Sequence, residues 1–71
     1  MRRGIFDRHG EVFAYLEGDR VYDLEGAQIG YRREQAIYSL SGELLWRIEG
    51  DGVYAGGENI GYLGSPFKYD D

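Results

Sequence analysis

The stretch "VYDLEGAQIGYR", residues 21–32, reads as a strand, a tight turn and a second strand. Val21 and Tyr22 have the β-branched and aromatic character of a pleated segment, Asp23 opens a turn, Gly26 closes it, and "QIGYR" resumes the extended pattern. The same phrase stands at residue 5 ("IFDRHGEVFAYL"), at residue 37 ("IYSLSGELLWRI") and, shortened, at residue 53 ("VYAGGENIGYL"). Ile5, Val21, Ile37 and Val53 are each sixteen residues apart, and each precedes an aromatic residue: Phe6, Tyr22, Tyr38 or Tyr54. A fixed period of this kind is the mark of a repeat architecture, in which one unit cannot bury its apolar face alone and does so against its neighbours.

The first three turns, "DRHG", "DLEG" and "SLSG", each begin with a short polar side chain and end with Gly10, Gly26 or Gly42. Type I geometry closed by a left-handed glycine fits them, giving a hairpin loop with a bulge. Counting outward from that turn places Asp23 opposite Ala27, Tyr22 opposite Gln28 and Val21 opposite Ile29. The same count pairs Ile5 with Phe13 and Ile37 with Leu45. In the fourth unit one residue is missing, and a two-residue Gly56-Gly57 turn of the primed kind compensates, pairing Ala55 with Glu58 and Val53 with Ile60.

Strict alternation along the second strands then puts Phe13, Ile29, Leu45 and Ile60 on one face, with Tyr15, Tyr31, Arg47 and Tyr62 two residues on. Ala14, Gly30, Trp46 and Gly61 take the opposite face. With "EGD" and "REQ" as three-residue connections, Ala14 lies beside Tyr22 and Gly30 beside Tyr38, so that an aromatic ring covers a strand glycine. The sequence therefore predicts an all-β fold of four antiparallel hairpins of about sixteen residues around a pseudo-four-fold axis. The units are 4–18, 19–34, 35–50 and 51–66, and a C-terminal strand at 67–71 begins a fifth that closes the ring or pairs with another chain. Isolated two-stranded hairpins are at best marginally stable, so the four must share one core.

Seventy-one residues make one small domain, and the absence of cysteine leaves no disulfide or thiolate metal site to reinforce it. A net charge of −5, with the basic residues scattered, argues against nucleic acid or an anionic membrane as partner. No segment approaches the length of an apolar membrane span, and "MRRGIF" is not followed by a signal-type run, so a cytoplasmic protein is expected.

The aromatic-Asp-x-x-Gly-x-x-Ile-Gly-Tyr phrase, clearest in "VYDLEGAQIGY", resembles the small proteins of the four-fold β-flower family over residues 4–64. That resemblance implies four hairpins about a pseudo-four-fold axis and carries no assigned activity. The third unit departs from it, with Trp46 and Arg47 in place of Gly and Tyr, and the fourth lacks the Asp before its turn. Tyrosine-aspartate repeats of large toxin-like shells share "YD..G" but have longer repeats in much longer chains.

His9 occupies a turn position whose counterparts are Glu25 and Ser41, which makes it a solvated loop residue rather than a general base. Asp7, Asp23 and Ser39 recur sixteen residues apart instead of converging in one segment, so they cap turns and do not form a calcium loop. The glycines of "GDGVYAGG" lack the lysine and the strand-to-helix setting of a phosphate loop. Glu17, Asp19, Glu34, Glu49 and Asp51 cluster at the connections, with nothing in the sequence to set a catalytic spacing. No enzyme, cofactor or metal is expected. The candidate contact residues are Tyr15, Tyr31, Arg47 and Tyr62, gathered at one end of the axis, together with Trp46. Tyr, Trp and Arg dominate contact hot spots, and flat amphipathic rings also stack on sugars. The expected role is a non-catalytic interaction or self-association module, with a small polar ligand of carbohydrate type as the alternative.

Overall fold

A computed structural model describes residues 2–66. Eight strands follow one another along the chain: β1 (Arg2–Asp7), β2 (Val12–Glu17), β3 (Arg20–Tyr22), β4 (Gln28–Arg33), β5 (Ala36–Ser39), β6 (Leu44–Glu49), β7 (Gly52–Ala55) and β8 (Glu58–Pro66). Each pairs antiparallel with its sequence neighbours, and β8 pairs with β1, so the sheet is a closed barrel of four hairpins. Closure removes the sheet edges. It is made by the fourth hairpin itself; the strand expected at 67–71 lies outside the described residues. Among the described residues, no helix is long and apolar enough to cross a membrane.

The hairpin turns form as their residues dictate. In the second, Gly26 N–H donates to the Asp23 carbonyl (3.1 Å), Asp23 N–H to the Ala27 carbonyl (2.9 Å), and Gly26 has φ +88°. Asp23 Oδ1 accepts from the N–H groups of Glu25 and Ala27, both at 2.9 Å. Asp7 does the same for His9 and Glu11, and Ser39 Oγ accepts from Glu43 N–H. The shortened fourth turn has both Gly56 and Gly57 at positive φ, the I′ requirement, with Ala55 opposite Glu58.

Beyond the turn, the register departs from simple counting. Tyr22 does face Gln28, but Val21 faces Gly30, and likewise Ile5 faces Ala14, Ile37 faces Trp46 and Val53 faces Gly61. A shift at the same place in all four hairpins sets two residues against one, so Phe13, Ile29, Leu45 and Ile60 are the extra residues of four β-bulges. Each extra residue stands between the pair made by the core residue and the pair made by the aromatic that follows it. Phe13, Ile29, Leu45, Ile60 and Trp46 accordingly pack, half-buried, against a core formed by Ile5, Ala14, Leu16, Val21, Ile37, Ile48, Val53 and Leu63. Leu16, Ile48 and Leu63 enter the core because the bulge turns their side of the strand inward. Their fourth equivalent, Arg32, is half-buried and donates through Nε to the Glu34 carbonyl.

The connections between units are also tighter than three residues. Glu17 pairs with Arg20, Arg33 with Ala36 and Glu49 with Gly52, leaving two-residue loops. Their first residues, Gly18, Glu34 and Gly50, have φ near +60° and the second residues do not, a positive-φ position that normally selects glycine.

One interior layer explains why the third unit breaks the pattern. Ala14, Gly30, Trp46 and Gly61 are equivalent positions around the lumen, and only Trp46 is large. Its ring meets Phe13, from the facing first unit, edge to face at 5.5 Å and 89°. A barrel this narrow is filled by side chains, and one indole suffices where its three counterparts are Ala or Gly.

Candidate functional site

With the core facing inward, the aromatic columns meet on the outside. Tyr15 pairs with Tyr22, Tyr31 with Tyr38, Arg47 with Tyr54 and Tyr62 with Phe6. Each pair joins the second strand of one hairpin to the first strand of the next. The residues expected to gather at one end of the axis, Tyr15, Tyr31, Arg47 and Tyr62, are instead distributed around the wall, one at each seam. Strand closure forces this, because equivalent positions of a four-fold barrel face four directions. Trp46, half-buried, packs against the core rather than joining the aromatic pairs of the wall.

The four seams are not equal. In the seams β4/β5 and β8/β1, pairing continues through Gly30 to Ser39 and through Gly61 to Asp7. At β2/β3 and β6/β7 it stops at Tyr15–Tyr22 and Arg47–Tyr54, one step short of Ala14 and Trp46. The backbone gives the reason. A Cβ on Gly30 would stand 2.2 Å from the Tyr38 carbonyl oxygen, and one on Gly61 would stand 1.9 Å from that of Phe6. These two glycines let the neighbouring strand approach, and residues with a Cβ hold it off. The glycines that do lie under rings are others: Gly4 and Gly64 under Phe6, and Gly52 under Tyr54. The ring expected over Gly30 is replaced by the Tyr38 backbone, because the seam runs one residue out of the anticipated register.

The rings above follow the strands below. Tyr31 and Tyr38 stack with centroids 6.3 Å apart, and Phe6 and Tyr62 with centroids 5.4 Å apart and planes 11° apart. Each stacked pair continues into an apolar strip across three strands: Leu44–Tyr38–Tyr31 on one side and Val12–Phe6–Tyr62 on the opposite side of the barrel. Leu44 and Tyr62 are half exposed, and Leu40 projects from the tip of the same hairpin as Leu44. A broad groove beside the first strip contains Arg32, Arg33, Arg47 and Tyr38. At the β4/β5 seam, therefore, the wall is apolar with an arginine margin.

The open seam β2/β3 is different. Tyr15 and Tyr22 do not stack on one another; the Arg2 guanidinium lies 4.9 Å from the Tyr15 ring centre. Between them is a groove of about 250 Å³ bordered by Arg2, Glu17, Asp23 and Leu24. Sequence reasoning placed Tyr15 on a contact surface but did not connect it with Tyr22, Arg2, Glu17 or Asp23. The alternation of Ala14 and Trp46 with Gly30 and Gly61 was the available signal, since it marks which seams close.

The Asp7 carboxyl is held below its usual value of 3.8, chiefly because the Glu11 N–H donates to it, with His9 N–H adding to the effect and partial burial opposing it. His9 itself is an exposed turn residue. Arg3 bonds the Gly64 carbonyl and pairs with Asp51 at 3.3 Å, a link across the β1 and β7/β8 end of the barrel. Among the described residues, no three His, Asp or Glu side chains converge as a metal site would require.

Residues 3–63 match the family described as 4-fold beta flower protein. The chain belongs to that family. Neither a curated protein nor a solved structure matches it. In this β-flower the petals are the four bulged hairpins, and their sixteen-residue spacing places one outer aromatic or arginine at every junction.

Proposed function

We propose that this β-flower chain is a non-catalytic binding module that works through the outer wall of its barrel, primarily by associating with further copies of itself. The observation supporting this reading is the Leu44–Tyr38–Tyr31 strip with Arg32, Arg33 and Arg47 beside it. Rigid tyrosines next to arginines form the composition that dominates contact hot spots. A stacked pair loses little side-chain freedom when it is covered, which lowers the entropic cost of association. The second strip, Val12–Phe6–Tyr62, lies four strands away around an eight-stranded ring, so a copy bound at each would extend an assembly from both sides.

Sedimentation equilibrium at micromolar protein tests this reading. A species heavier than the 8.1 kDa chain is expected, dissociating when Leu44 is replaced by Ser. A single 8.1 kDa species across the concentration range refutes self-association.

A second reading, binding of a small polar ligand of carbohydrate type, is favoured by one specific feature: the groove at the unstacked Tyr15–Tyr22 pair, where aromatic faces adjoin charged donors and acceptors. Pockets that fix a small polar ligand combine such walls with a few polar groups.

A further inference from the structure

We propose that the open seam between the first and second hairpins is the ligand site, and that it takes a neutral polyhydroxylated ring such as a pyranose; this rests on the carbohydrate reading above. The site exists because Ala14 has a Cβ. Where glycine stands at the equivalent position, the seam zips one pair further and its two rings stack. Over Ala14 the seam stops at Tyr15–Tyr22, the rings remain apart, and the groove opens between them.

The lining selects the class of ligand. Glu17 makes no ion pair or side-chain hydrogen bond among the described residues, and Asp23 uses only Oδ1 on its own turn, leaving Oδ2 as an acceptor. Two carboxylates lining one groove disfavour a phosphate or a polycarboxylate. Arg2, already seated over Tyr15, occupies the ring face on which an organic cation would stack and places a like charge beside it. A neutral ring with hydroxyls at its edge satisfies both signs at once: its hydroxyls donate to Glu17 and Asp23 and accept from Arg2. Its C–H face covers Tyr22, the ring that the guanidinium leaves free. Leu24, 56% exposed on the turn above, adds an apolar edge that such a ligand would cover. The other open seam has Arg47 where this one has Tyr15 and so offers a single ring.

The test is an NMR titration of the full chain, following tyrosine ring and backbone amide resonances. The probes are methyl α-D-glucopyranoside, methyl β-D-galactopyranoside, N-acetylglucosamine and maltose, with inorganic phosphate and tetramethylammonium as charged controls. Saturable shifts confined to Tyr15, Tyr22 and their neighbours are expected with at least one sugar at millimolar concentration, and none with the controls. Ala14→Gly leaves every lining side chain in place but allows the seam to close, and should weaken binding about tenfold or more. Tyr22→Leu, which keeps apolar bulk, should abolish it, and each variant's amide spectrum shows whether the barrel is intact. Sugar shifts at Tyr31 and Tyr62 but not at Tyr15 and Tyr22 would overturn the seam assignment while preserving the carbohydrate reading. Silence with every sugar would overturn both. Saturation by phosphate or tetramethylammonium would overturn the ligand class, and unchanged affinity in Ala14→Gly would overturn the role of the seam.

Discussion

Moving the only tryptophan from one hairpin to another should cost far less than removing it. Trp46 fills a lumen layer whose other members are Ala14, Gly30 and Gly61. Truncating a packed aromatic to alanine typically costs about 3–5 kcal/mol, and half-buried Trp46 belongs near the lower end. A domain of this length has roughly 4–10 kcal/mol of total stability, so Trp46→Ala should leave it folded by a narrow margin. Ala14→Trp alone would put two indoles in the same layer and should cost about 1–3 kcal/mol or more through overpacking. Combined, the two changes restore one indole to the layer from the facing strand. The residual deficit should be about 1–2 kcal/mol, mainly the edge-to-face contact with Phe13 that the transplanted ring cannot make. Ala14 is the only suitable recipient, since a Cβ at Gly30 or Gly61 would meet a backbone oxygen at 2.2 or 1.9 Å. Guanidinium unfolding followed by far-UV circular dichroism measures all four proteins without depending on the tryptophan signal. A favourable coupling of about 3 kcal/mol is expected between the two sites. If the double variant is no more stable than Trp46→Ala, the four positions do not share one lumen layer and the account of the third unit fails.

Among the described residues, Glu34 is the one non-glycine residue at positive φ, +56°, at a loop position held by glycine in the two equivalent connections. The left-handed conformation costs a residue with a Cβ about 1–2 kcal/mol, partly offset by the extra chain entropy of glycine. Glu34→Gly should therefore gain about 0.5–1 kcal/mol and raise Tm by roughly 2–6 °C in a calorimetric scan; a lower Tm would contradict the turn geometry. Asp7 supplies the pH dependence. Its folded-state pKa is depressed, so its stabilising contribution is complete above the usual 3.8 and is lost as pH falls below that through the folded value. Asp7→Asn, which retains the accepting oxygen without the charge, should lose less stability over that acidic range in urea midpoints measured against pH. Parallel curves for the two proteins would show that the carboxylate does not carry this effect.

Period and turn chemistry were legible in the chain alone because both are local. Asp23 or Ser39 followed three residues later by glycine specifies a capped turn within a few bonds of itself, and the Gly56-Gly57 pair absorbs the deletion in the fourth unit without outside help. The sixteen-residue recurrence then requires equivalent residues to share equivalent surroundings, which was sufficient for four hairpins and one core.

The four bulges were harder to read, because counting outward from a turn assumes one residue opposite one. Their trace was nevertheless present: Phe13 and Leu16, or Leu45 and Ile48, are apolar three apart, which strict alternation cannot bury on one face and a two-against-one bulge can. The unequal seams depended on closure. Whether a Cβ at position 14, 30, 46 or 61 is tolerated depends on a carbonyl in the next hairpin, and only the assembled ring brings that oxygen within 2.2 Å of the place a Cβ would occupy at Gly30. The sequence by itself therefore determined the repeat, its turns and the shared core residues Ile5, Val21, Ile37 and Val53. Alternation counted without the bulges put Tyr15, Tyr31 and Tyr62 on the core face and Trp46 on the opposite one, and the structure reverses both. The tertiary structure alone decided which rings stack and which stand apart, since that distance is set by backbone contacts between hairpins rather than within one.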